Sequence, residues 1–272
     1  MNQYSKDDLL LFGGNYSNFQ ASKRLKEIAE ELGFAPNQII CNGDIVGYCS
    51  QPEETVQLIK EWGVNCITGN VEDQIREGAI DCGCNFDAGS RCDILSKQWF
   101  PYAKANLSKD SEAWIGTLPT TLSFNINGKN IVVIHGGVED RSEFIFASTP
   151  TERKIEIFND LKADIIIAGH SGLPFAQHID KNTWINPGVV GMPANDGTTR
   201  CWFAILKTGT WEIELHAFDY DSIETSQLMT DKKLAAPYAK TLLTGIWDNT
   251  DILIPQEISE QGVAIKADNY WG

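Results

Sequence analysis

Four short apolar runs, each ending in a polar residue flanked by glycine, constrain this chain more than any other feature. They are IICNGD (39–44), VNCITGN (64–70), NIVVIHGG (130–137) and ADIIIAGHSG (163–172). β-Branched runs of this length read as buried strands. In an open α/β sheet, polar groups at the carboxyl ends of neighbouring strands converge on one crevice, so residues distant in sequence meet there. The residues so placed are Asp44, Asn70, His135 and His170. Any one of them alone reads as a turn former or a hydrogen-bonded structural side chain. As a set they offer a carboxylate, an amide oxygen and two imidazoles, a mixed shell suited to Mn²⁺, Fe²⁺ or Zn²⁺. The chain has 4 His in all, and two of them occupy this strand-to-loop setting.

The order of these segments resembles the calcineurin-like metallophosphoesterase family, whose signature runs D-x-H, G-D, G-N-H-D/E, a lone His, and G-H-x-H. Here GDIVGY (43–48), GNVED (69–73), IHGG (134–137), GHSG (169–172) and INPGVVG (185–191) fall in that order, over roughly residues 9 to 216. The resemblance implies a two-sheet sandwich flanked by helices, a four-layer αββα arrangement. It also implies that Asp44, Asn70, His135 and His170 form the family's second metal site. The first site is depleted: LLLFGGNYSNFQA (9–21) puts Gly14 and Tyr16 at the D-x-H positions, and Gly172 replaces the second His of G-H-x-H. One metal ion is therefore expected. The His that the family places beside the leaving group is Val71, which can neither give nor take a proton. Asp44 and His135 are the expected catalytic residues, with Glu72 the nearest replacement acid, although the family uses that position mainly as support. His178 is a weaker acid candidate, and His216 reads as structural.

GGNYSN (13–18) precedes a helix pattern over 19–33, with Ala21, Leu25, Ile28, Ala29 and Leu32 at helical spacing. Ser17 or Asn18 as an N-cap is the plain reading. The functional one is that free N–H groups, Asn15, Tyr16 and Asn18 bind a phosphate there. No Walker pattern is present.

Three cysteines cluster in DCGCNFDAGSRCD (81–93). Cys82, Cys84 and Cys92 match no standard zinc or iron–sulfur spacing. A structured lid with reduced thiols is the favoured reading, and a thiolate folded back over the depleted first site is the sharper one. The other cysteines read as small buried hydrophobes.

Further helices are expected over 51–63, 93–107 and 149–164, a short helix after 111, and a hairpin turning at Asn127-Gly128. Short strands follow residue 180. Residues 1–220 are expected to form the metallophosphoesterase-like domain, and 221–272 a C-terminal helical extension packed on it, helical on both sides of Pro237. Trp247, Tyr270 and Trp271 are expected to pack within the chain.

The formal net charge of −15 opposes nucleic-acid binding and anionic membrane surfaces. No apolar stretch approaches a membrane span, the start MNQYSKDDLLLF has no signal-peptide profile, and the 7 Cys suit a reducing compartment, so a cytoplasmic protein is expected. The expected partner is a small phosphorylated substrate; the oligomeric state is left open. Two functions stand at this point: a metal-dependent hydrolase of a small phosphate mono- or diester, and an inactive relative that binds or senses.

Overall fold

In the computed structural model, which describes residues 5, 7–266 and 269–270, two mixed sheets stack face to face between helices. The elements in chain order are β1 (Leu9–Phe12), α1 (Phe19–Leu32), β2 (Ile39–Cys41), α2 (Pro52–Trp62), β3 (Asn65–Cys66), α3 (Asn70–Glu77), α4 (Arg91–Ala105) and α5 (Lys109–Ile115). There follow β4 (Leu122–Ile126), β5 (Lys129–Val133), α6 (Thr151–Leu161), β6 (Ile165–Ile167), β7 (Phe175–Ile179), β8 (Asn182–Asn186), β9 (Cys201–Lys207) and β10 (Glu212–Phe218). The chain ends with α7 (Ser222–Asp231), α8 (Ala236–Thr244), α9 (Pro255–Ser259) and β11 (Asn269–Tyr270). One sheet has the order β11-β10-β9-β1-β2-β3, the other β4-β5-β6-β8-β7.

The apolar runs explain the layering. Along β1, Leu9 and Leu11 enter the core between the sheets, whereas Leu10 and Phe12 enter the core beneath α1 and α2. On the second sheet Ile165 and Ile167 face inward while Ile166 faces the α6 layer. A strand buried on both faces needs a continuous rather than an alternating apolar run. β1, β2 and β3 are parallel, as are β5, β6 and β8, so their carboxyl ends share one edge of the sandwich.

The expected αββα sandwich is the observed fold, and the helix predictions hold to within a few residues. One element differs from expectation. Asn70 opens a helix, α3, rather than closing a strand; Gly78 ends that helix in the left-handed region at φ 71°. Pro237 lies in the first turn of α8, where its missing N–H costs nothing, and the chain is helical before it in α7 and after it in α8, as expected. α7 packs on α8, and Met229, Leu234, Ala239 and Leu242 form an apolar cluster with Tyr16, Cys49, Val189 and Met192. Of the terminal aromatics, Trp247 is partly buried against Gly172, and Trp271 lies outside the described residues.

Candidate metal centre

Three of the four converging residues sit where a strand gives way to a turn, and the turn is sharp. Asp44 follows β2 at φ 55° and His170 follows β6 at φ 62°, both in the left-handed region that side chains seldom occupy. Such strain is held by surrounding contacts, and at Asp44 Glu72 provides them. This buried carboxylate accepts N–H bonds from Asp44 (2.8 Å), Gly69 (2.8 Å) and Val46 (2.9 Å), clamping the G-D loop to the start of α3. Gly69 has no alternative: a Cβ there would lie 2.0 Å from Asp44 Oδ1.

His135 is at the centre. Its Nδ1 is 2.9 Å from the Asn42 carbonyl, which makes Nδ1 the protonated nitrogen and leaves the Nε2 lone pair facing inward. Nε2 lies 3.0 Å from Asn70 Oδ1, 3.2 Å from His170 Nδ1 and 3.3 Å from Asp44 Oδ2. Asn70 is oriented by its amide nitrogen, which donates to the Cys82 carbonyl at 2.9 Å, so its oxygen must point at the cluster. Ligand atoms of Asp44, His135 and His170 all lie within 4.8 Å of one another, and all three residues are buried. Acceptor atoms gathered this closely, with few donors among them, fit a cation.

The electrostatics agree. Burial pushes the Asp44 carboxyl up, but the charge and hydrogen bond of His135 outweigh it and hold Asp44 below its ordinary range. Burial pulls His135 down, yet Asp44 raises it on balance. His170 is lowered to about 3 by burial and then by His135, so it stays a neutral donor.

The three depleted positions are filled. At Gly14, φ 55°, a Cβ would meet Val189 Cγ1 at 2.4 Å and the Tyr16 ring at 3.0 Å. At Gly172, φ 76°, a Cβ would stand in ordinary contact with the indole of Trp247, 3.5 Å away. A side chain reaching for a first ion has no room at Gly14, and apolar rings cover the rest.

The other candidates divide. Asn15 is fully buried, its amide nitrogen on Ser22 Oγ at 2.8 Å and its oxygen facing Cys41 Sγ. Asn18 caps α1 through Ala21 N and donates to the Gly191 carbonyl. Neither lines the crevice, because a cap's polar atoms are already satisfied. Tyr16 does line it. Glu72 is raised to about 7 by burial and then by Asp44, but its oxygens are held by three backbone N–H groups and do not reach the crevice. His178 is exposed on β7 beside Thr183, and His216 stacks on Phe203 at 5.0 Å with Glu214 at 3.1 Å. The cysteine lid differs from expectation: Cys82 and Cys84 are joined in a disulfide, while Cys92 is a buried thiol on α4. Cys84 reaches the crevice, with its sulfur 3.4 Å from the Asn70 amide nitrogen.

Asn42 was missed. Its Nδ2 donates to the Ala168 carbonyl at 2.8 Å and its own carbonyl fixes His135, so one residue of the first sheet sets two strand ends of the second. The available signal was the Asn of C-N-G-D, a polar side chain at the end of a buried strand.

Residues 17–210 match the sequence profile of the calcineurin-like phosphoesterase superfamily domain. The chain belongs to that superfamily. It is 24% identical over 247 residues to an uncharacterised protein of Methanocaldococcus jannaschii, covering 85% of this chain and 95% of that one. Among solved structures it is similar to a metallophosphoesterase from Sphaerobacter thermophilus, with TM-score 0.68 and 20% identity over 88% of this chain and 99% of the other. A hypothetical protein from Pyrococcus horikoshii matches with TM-score 0.73 and 19% identity, over the same shares of the two chains. Both likenesses concern the fold. No helix of the described residues is long and apolar enough to cross a membrane.

Proposed function

We propose that this phosphoesterase-superfamily protein is a hydrolase of a small phosphate mono- or diester that works with one divalent ion held by Asp44, Asn70, His135 and His170. One observation carries the reading: the lone pair of His135 faces an amide oxygen, a carboxylate and a second imidazole within 3.3 Å. Mn²⁺, Fe²⁺ or Zn²⁺ suits that donor set. Such an ion, when bound, polarises a phosphoryl oxygen and acidifies a water.

The chain's own residues do the positioning. Asn42 fixes the His135 tautomer, and Glu72 fixes the loop that carries Asp44. The Val71 N–H takes up Asp44 Oδ1 at 3.4 Å, leaving Oδ2 turned toward His135. Tyr16, Phe144 and Trp247 line the crevice and narrow it. Neither Val71, which is aliphatic, nor Glu72, which is clamped, can protonate a leaving group. Esters with good leaving groups are the expected substrates. The same gap favours the second reading, a binding protein without turnover.

Metal content per chain and turnover on mono- and diesters with each ion test the proposal together. The expected result is one ion, lost in His135→Ala, and turnover lost with it. Two firmly bound ions would contradict the single-ion reading. One bound ion without turnover on any phosphoester would leave the binding protein.

A further inference from the structure

The crevice does not stop at the four ligands. It opens into a pocket with a free volume, mouth included, of about 720 Å³, walled by aromatic rings from three separate parts of the chain. Tyr16 and Tyr48 meet edge to face at 4.6 Å, and Tyr48 continues to Tyr238 at 4.7 Å. On the other side Phe144 lies over His170 at 4.3 Å and is parallel to Phe86 at 6.5 Å.

The C-terminal residues complete this wall although they lie beyond the superfamily match, which ends at residue 210. Trp247 is held at both ends: its indole N–H donates to the Pro193 carbonyl at 2.8 Å and its backbone N–H to Asn195 Oδ1 at 2.8 Å. The ring edge stands against Gly172, two residues past His170. A wall fixed in advance gives its contact area to a ligand without an ordering cost.

Charge narrows the ligand further. No Lys or Arg is among the described residues lining the pocket, whereas Asp44 and Asp248 are. The Arg91 guanidinium is engaged with Asp248 at 2.6 Å. A divalent ion with one carboxylate and three neutral ligands carries one net positive charge. A singly charged phosphoryl group would balance it, whereas a doubly charged one would leave a negative charge that no Lys or Arg of the pocket lining pairs.

We propose that the pocket takes a phosphoryl compound with one negative charge and a flat apolar group, and that Trp247 and Tyr238 select that group. A diester with an aryl or similar planar substituent fits this description, and a monoester dianion does not. The inference rests on the phosphoesterase reading for the phosphoryl end and on the aromatic walls for the ring.

Three ligands that cannot be hydrolysed test it by calorimetry on the Mn²⁺-loaded protein near pH ~8, where a phosphonate is largely doubly ionised. They are phenyl(methyl)phosphinate, dimethylphosphinate and phenylphosphonate. The first is expected to bind roughly tenfold tighter than either of the others, by its ring in one case and its charge in the other. Trp247→Ala is expected to remove most of the ring preference, read as the ratio of phenyl(methyl)phosphinate to dimethylphosphinate affinity in that one protein. Equal affinity for the two phosphinates, tighter binding of the phosphonate, or no binding of any of the three overturns the inference. The wild-type comparison decides even if Trp247→Ala fails to fold. Ring and charge preference without turnover on any ester would overturn the hydrolase reading alone.

Discussion

Glu72 is the residue at which a chemical and a mechanical role are most sharply separable. Glu72→Ala deletes the acceptor of three buried N–H groups, on Asp44, Val46 and Gly69. Leaving a buried donor unpaired costs about 1–3 kcal/mol, so at about 2 each the loss is about 6 kcal/mol. Against this, the substitution removes a carboxylate whose burial, reinforced by Asp44, has moved it from 4.5 to about 7. At about 1.4 kcal/mol per unit of pKa, that relief is worth about 3 kcal/mol above neutral pH. The hydrogen bonds win, and the net destabilisation is about 3 kcal/mol. Urea unfolding of the chelator-treated protein, followed by tryptophan fluorescence, measures it. Glu72→Gln keeps the volume but sets an amide N–H₂ among N–H donors, so it is expected to be destabilised as well. A loss below about 1 kcal/mol in Glu72→Ala would refute the clamp. So would a Glu72→Gln protein of wild-type stability that binds its ion and turns over nothing, the behaviour of an acid.

Three further outcomes follow from the same geometry. Burial raises the thiols of Cys49, Cys92 and Cys201, so between the unfolded thiol value near ~8.5 and their folded values the native state holds more protons and stability falls as pH rises. Cys66, raised by its hydrogen bond with Cys41 and by burial, adds to this. Buried Lys154, lowered to about 8, works in the opposite direction, and the net expected loss from pH ~8 to ~9.5 is about 3 kcal/mol by urea titration; an unchanged midpoint contradicts it. Gly14→Asp is expected to lose about 1–3 kcal/mol against Val189 and to bind no second ion, read by elemental analysis of the folded protein. Asn42→Ala removes the donor to the Ala168 carbonyl, and about 1–2 kcal/mol of stability with it, while the Asn42 backbone carbonyl still fixes His135. One ion at lowered affinity is expected there, and complete loss of the ion would assign Asn42 a larger part.

What could be read from the sequence was whatever had a local cause. IICNGD and ADIIIAGHSG lead into Asp44 and His170 because strands buried on both faces must be apolar throughout, so the end of the apolar run marks the sheet edge. Asn18 as a cap and the Asn127-Gly128 hairpin were legible for the same reason. α3 was legible in principle, from Glu72 and Asp73 in its first turn and Gly78 at its end, but the G-N turn drew the reading toward a strand end. Asn15 and Asn18 were assigned to substrate because their partners, Ser22 and the Gly191 carbonyl, are visible only after folding. The disulfide of Cys82 and Cys84 and the placement of Trp247 over Gly172 leave no periodic trace, since both depend on how loops close rather than on which face is buried.

The depleted ligands and the C-terminal tail are two sides of one physical change. A carboxylate at position 14 and an imidazole at 172 would need a second cation between them, because buried charge without a partner is costly. Glycine at both positions removes that demand but leaves space beside Asp44, and an unfilled apolar space costs stability in proportion to its volume. Val189 and Tyr16 occupy it at Gly14, and Trp247 occupies it at Gly172, anchored through Pro193 and Asn195. Met229, Leu234, Ala239 and Leu242 of the tail complete the support behind Tyr16. Truncation after residue 220 therefore has to do more than shorten the chain. It uncovers this cluster and opens the wall of the crevice, so solubility and ligand discrimination are expected to fall together while Asp44, Asn70, His135 and His170 still bind their ion. Loss of the ion on truncation would show that the tail shapes the metal site itself.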